Sequence, residues 1–167
     1  MTETVAVTEL GHTLEFAFDD ALRYAGPGSP AGVAIAFKAL QRAFAVLSPA
    51  APPERRTVSI RTAFRGPGAR DCCEVITRAV TEDRYVVDRS LLRPDRGRLL
   101  EDFAFEMSIG DRTTTLLLRT GFVTAEFIDL ARMSSRSPDQ EQRFVVVKAD
   151  LAQRIMATAT NDVFEIG

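Results

Sequence analysis

Residues 31–47 read Ala-Gly-Val-Ala-Ile-Ala-Phe-Lys-Ala-Leu-Gln-Arg-Ala-Phe-Ala-Val-Leu, a segment apolar on almost every side of a helix. Val33, Ile35, Phe37, Leu40, Phe44, Val46 and Leu47 stand among alanines. Lys38, Gln41 and Arg42 mark the only wet face, within about one turn. A surface helix carries one apolar stripe, whereas a helix apolar all round has to be enclosed by protein. The chain has 167 residues, a length that suits one domain with a modest interior. That shortage of cover predicts self-association as a homodimer through helix 31–47. Ser29 and Pro30 open the helix in the favoured order, serine at the N-cap and proline at the first helical position.

Around this helix the pattern alternates between helix and strand. Leu14, Phe18 and Leu22 recur at i, i+4 and i+8 and predict an amphipathic helix over 14–24, stopped by Gly26-Pro27-Gly28. Residues 57–64 alternate as a strand, with Val58, Ile60 and Thr62 on one face. Gly66-Pro67-Gly68 repeats the Gly-Pro-Gly device, and a helix over 69–80 follows. Strands are expected at 84–88, 102–109 and 113–119, the last two joined by the hairpin signal Gly110-Asp111. Residues 124–133 read as a helix, 134–142 as a loose polar linker and 148–158 as a final helix. The expected fold is α+β, with helices packed on one mixed or antiparallel sheet, in the order α-α-β-α-β-β-β-α-α. Residues 1–133 form the main domain, and 134–167 a linker and C-terminal helix that pack on it.

Composition narrows the class. No run of eighteen apolar residues appears, so no membrane span is expected. Twenty-one basic and twenty-three acidic side chains leave a net charge of -2, which predicts no nucleic-acid partner. The arginines at 84, 89, 93, 96 and 98 are interleaved with acids and read as a solvated surface. Cysteine occurs only at 72 and 73, too few for a disulfide framework or a four-cysteine zinc site. The opening residues are acidic where a secretory leader needs a basic flank, so a cytoplasmic location is expected. His12 is the single histidine and reads as solvated; no serine sits in a Gly-x-Ser-x-Gly setting.

Chemistry concentrates on the two Gly-Pro-Gly loops, each of which leads into a helix. The first helical turn leaves N–H groups unpaired at the positive end of the dipole, so such starts attract anions. If the loops adjoin, Gly28, Ser29, Arg65, Gly68, Arg70, Asp71 and Glu74 are the candidate ligand-binding residues for a carboxylate or phosphate. The alternative is that the loops only turn the chain, with Ser29 and Asp71 capping helices. Asp71 and Glu74, three apart on one helix face, suit one hard cation such as magnesium, or are simply solvated first-turn acids. Cys72 and Cys73 near that helix start read either as low-pKa nucleophiles or redox sensors, or as small buried hydrophobes.

Several strings carry a family likeness. Phe18-Asp19-Asp20-Ala21-Leu22-Arg23-Tyr24 leads into Gly26-Pro27-Gly28-Ser29-Pro30-Ala31-Gly32 and the helix Val33-Ala34-Ile35-Ala36-Phe37-Lys38-Ala39. After the next strand come Gly68-Ala69-Arg70-Asp71-Cys72-Cys73-Glu74-Val75-Ile76-Thr77, and near the end Val163-Phe164-Glu165. Over most of its length the chain resembles the formylmethanofuran dehydrogenase E-like family. That family carries His-Gly-His-x-Cys-Pro-Gly in the first loop and a cysteine in the second, ligands suited to zinc or a similar ion. Here the first loop offers Gly, Pro and Ser. Gly68 stands at the second-loop cysteine, and Cys72 and Cys73 follow four and five residues later.

The resemblance therefore implies the family's fold with no transition-metal site and no identified cofactor. The leading expectation is binding of a small anionic ligand, or an accessory role. The alternatives are an enzyme of one-carbon or related small-molecule metabolism working between the two loops, and a purely structural component of a larger assembly.

Overall fold

In the computed structural model, which describes residues 2–167, two short strands precede any helix. Strands β1 (Thr4–Glu9) and β2 (His12–Ala17) pair antiparallel as a hairpin, Glu9 facing His12. The turn residues Leu10 and Gly11 both have positive φ, 50° and 80°, the geometry whose twist matches the flanking strands. The expected helix over 14–24 is thus corrected: helix α1 (Phe18–Ala25) begins only at Phe18. Leu14, Phe16 and Phe18 are spaced by two as well as by four, so a short apolar run satisfied both periods. The branched Thr4, Val5, Val7, Thr8 and Thr13 favour the pleated form, with Val5 and Val7 turned into the core.

The main sheet has five strands in the order β4-β3-β5-β6-β7. They are β3 (Val58–Thr62), β4 (Tyr85–Val87), β5 (Ala104–Ile109), β6 (Arg112–Leu118) and β7 (Phe164–Ile166). Only β3 and β4 run parallel; every other neighbour is antiparallel. The parallel pair needs a crossover, which helix α3 (Pro67–Thr77) supplies. The fold is α+β, with helices on a mostly antiparallel sheet. The expected order gains a hairpin at the start and an edge strand at the end.

Helix α2 (Pro30–Leu47) crosses β5 and β6 on one side and meets α1, α3 and α5 (Pro138–Met156) on the others. Every residue from 31 to 40 is buried. By length and mean hydropathy (1.3) this helix could cross a membrane, but 72% of it lies inside the protein, as a core helix does. The burial demand that argued for a dimer through residues 31–47 is met within one chain.

Of residues 134–142, expected as a loose linker, 138–142 are the first turns of α5 and only 134–137 lie outside a helix. The Ser137 hydroxyl accepts the Gln140 amide at 3.2 Å, and the Gln140 side chain accepts the Ser137 amide at 2.9 Å. This reciprocal cap, with Pro138 at the first position, starts α5 ten residues earlier than the apolar pattern indicated. Helix α4 (Ala125–Arg132) opens with Thr124 accepting Phe127 N–H at 3.1 Å, and a short helix α6 (Thr160–Val163) precedes β7.

The arginine-rich stretch also differs from its reading as a solvated alternation. Arg84 donates to the Val58 and Thr77 carbonyls, Arg89 to Ala63 O, and Arg96 to Leu118 O. Three of its five guanidinium groups therefore terminate structural elements. Arg93 and Arg98 pair with Asp95 and Asp129 at the surface.

Candidate functional site

The starts of α2 and α3 lie against each other, and only glycine permits the approach. A Cβ on Gly68 would fall inside contact with the Ser29 carbonyl and 2.9 Å from both Ser29 Cβ and Val33 N. One on Gly32 would stand 3.0 Å from Ala69 N. Of the loop glycines, Gly26 takes a positive φ of 81°. Gly66 has φ -61°, and Gly68 adopts no positive φ. Its lack of a side chain is what counts.

Both helix starts keep their amides free of side-chain caps. Ser29 holds the N-cap position of α2, but its hydroxyl makes no capping bond, against expectation. The N-cap of α3 is Gly66, which has no side chain, so Asp71 does not cap it either. Pro30 and Pro67 carry no N–H, leaving Ala31, Gly32, Gly68 and Ala69 as first-turn donors without helical acceptors. Of these, Ala31, Gly32 and Gly68 line one cavity of about 800 Å³, together with Ser29, Gly66 and Pro67. The segments flanking strands β3, β4 and β5 contribute Phe64, Arg65, Arg89, Glu101, Asp102 and Phe103, and α4, α5 and Arg136 in the connection between them close it, with Phe127, Ile128, Ala131, Arg132, Phe144 and Lys148 from the two helices.

Five cationic side chains thus face two acids, in a chain whose net charge is negative. Most of the cations are already engaged. Arg89 stands 3.2 Å from Asp102 and donates to Ala63 O. Arg132 pairs with Glu101 at 3.2 Å. Arg136 pairs with Glu141 at 3.0 Å and lies 4.8 Å from the Phe144 ring centroid. Lys148 lies 4.3 Å from the same centroid and donates to Gly28 O at 2.8 Å. Burial, and then the charge of Arg136, hold the Lys148 ammonium below its usual pKa. An anion in the cavity would relieve that crowding. Arg65 alone among the five makes no hydrogen bond or ion pair with the described residues, and it is exposed beside Gly66.

The structure brings Ser29, Arg65 and Gly68 together at the cavity. Gly28 lies just outside the lining and anchors Lys148. Arg70 and Asp71 face elsewhere and approach each other at 3.4 Å. Glu74 is buried and committed, accepting from the Thr81 amide and hydroxyl at 2.9 Å each to close the turn after α3. Glu74 therefore lies outside the cavity lining, correcting its place among the candidate ligands, and its carboxylate is held by Thr81 instead of standing open beside Asp71. Cys72 and Cys73 are fully buried. Burial, foremost, pushes both thiols up, reinforced at Cys72 by Cys73 and Asp71 and at Cys73 by Glu74. They behave as core hydrophobes, not nucleophiles.

The donor chemistry of the cavity does not fit the soft metal site of the resembled family. No histidine or cysteine lines it, and its two carboxylates are held by arginines. Among the described residues no three His, Cys, Asp or Glu side chains gather closely enough to share an ion. The chain matches no known family model, and no curated protein matches it.

Proposed function

We propose that the chain is a binding or accessory protein for a small anionic ligand, held without a transition metal where α2 and α3 begin. In this reading the resemblance to the formylmethanofuran dehydrogenase E-like family reflects a shared framework whose metal-ligand positions have become close-packed glycine and serine. One observation carries the proposal: two uncapped helix starts and Arg65, an arginine unpaired among the described residues, border the same cavity. Each start supplies N–H donors and a positive dipole end, and Arg65 adds an exposed charge with forked donors. A phosphate or carboxylate is the complementary group.

Calorimetric titration with inorganic phosphate at low ionic strength tests it. Wild type should bind, and Arg65→Ala should bind about tenfold more weakly, the cost of one charge-assisted hydrogen-bond partner. Arg70→Ala, a change outside the cavity, should bind as wild type does. Absence of binding to wild type, or equal affinity in Arg65→Ala, overturns the proposal.

A further inference from the structure

We propose that the ligand is an aryl anion: a flat aromatic ring bearing a single phosphate or carboxylate group, with the ring stacked on Phe64 and the charge at the two helix starts. The inference rests on the anion reading above and deepens it. Four phenylalanines line the cavity, and three are spent on the core: Phe103 is 1% exposed, Phe127 6% and Phe144 7%. Phe64 is the exception, half-buried while it borders the cavity. An aromatic ring left partly wet inside a concave site is apolar area that a ligand can remove from water.

The ring is also fixed in place. It lies over Gly66, where any Cβ would collide with it. Its centroid is 4.8 Å from that of Phe103, with planes 35° apart, and 6.5 Å from that of Phe105. Glycine at 66 is thus explained by the ring above it, since the backbone angle there is ordinary. A platform held this way loses little freedom when a second ring stacks on it. Phe64 immediately precedes Arg65 and stands close before Pro67, so the platform and the charge-binding end belong to one short segment. That proximity suits an anionic group attached directly to the ring. Ile128 and Ala131 of α4 add apolar wall to the same cavity. The charge count sets the number of anionic groups. Four of the five cations already have partners, so one guanidinium without a partner among the described residues and one pair of helix starts remain for one group.

Titrations of inorganic phosphate, phenyl phosphate and n-butyl phosphate, with acetate and benzoate as the carboxylate pair, test the assignment. Phenyl phosphate should bind about tenfold tighter than inorganic phosphate and tighter than the butyl ester, the scale of one aromatic pair. Benzoate should exceed acetate if the natural group is a carboxylate as well as if it is a phosphate; the tighter series identifies the source. In Phe64→Leu the ratio of phenyl phosphate affinity to inorganic phosphate affinity should fall to that of the butyl ester, and in Phe64→Tyr, which keeps the ring, the ratio should persist. Phosphate binding with no phenyl advantage, or an advantage surviving in Phe64→Leu, overturns the aryl assignment alone. Failure of every anion to bind wild type overturns the anion site beneath it.

Discussion

Gly68→Ala should lower stability by about 3 kcal/mol or more, the upper range for overpacking a site that cannot relax. The reason is the partner atoms. A Cβ at 68 meets a carbonyl oxygen, a Cβ and an amide nitrogen of Ser29 and Val33, and two of these are main-chain atoms of the core helix and its cap. Main chain cannot rotate away as a long side chain can, so α3 would have to lift off α2. In a domain of this size that loss corresponds to a fall of roughly 6–12 °C in Tm. Gly28→Ala is the control, because a Cβ there meets nothing within 4 Å and its φ is not positive. It should stay within about 0.5 kcal/mol of wild type, as ordinary surface changes do. Thermal unfolding followed by circular dichroism measures both. Equal stability of the two variants would show that the helix starts do not pack as described.

The second large effect concerns the one fully buried charge of the core helix. Lys38 is 1% exposed, and its ammonium donates to both Glu3 carboxylate oxygens, at 2.7 and 3.0 Å, and to Thr158 O at 2.8 Å. Three donors meet three acceptors, so a lysine that reads as part of a wet face is buried and satisfied. Glu3→Ala strands that charge with one partner. The cost should be about 2 kcal/mol, below the roughly 3–5 kcal/mol of a fully buried pair, because Glu3 remains 42% exposed and water can take its place. Lys38→Met should fall within about 1 kcal/mol of wild type, since apolar replacement of a buried ion is often neutral or stabilising. In the Lys38→Met background Glu3→Ala should cost nothing measurable. A urea-denaturation cycle over the four proteins checks this, and an equal cost of Glu3→Ala in both backgrounds would contradict the pairing.

Much of the framework was legible because its signals were long or strong. The all-round apolarity of residues 31–47 pointed to a central helix, and the repeated Gly-Pro-Gly to two helix starts, whose adjacency the sequence left as a condition and the glycine packing supplies. The failures have local causes. Residues 4–17 are short enough for apolar spacing to fit helix and strand alike, and the Leu10–Gly11 turn lacks the Asn-Gly or Asp-Gly signature. The start of α5 was hidden because its first turns are polar, although Ser137 and Gln140 carried the capping signature. Of the candidate site, the loop residues were recoverable and its opposite wall was not. Arg136, Phe144 and Lys148 come from far along the chain, and nothing in their neighbourhood marks them except that they lie around a helix cap. Glu74 was included on spacing alone. Its actual partner, Thr81, lies beyond the helix end, where Arg78 takes a left-handed φ of 60° that brings the chain back.

Amide mapping by ¹H–¹⁵N NMR during an inorganic phosphate titration examines the central claim most directly. Saturable shifts should concentrate on Ala31, Gly32, Gly66, Gly68 and Ala69, two sequence-distant clusters moving with one dissociation constant. Shifts scattered over surface arginines such as Arg93 and Arg98, or confined to one cluster while the other stays still, would contradict a single anion site built from both helix starts.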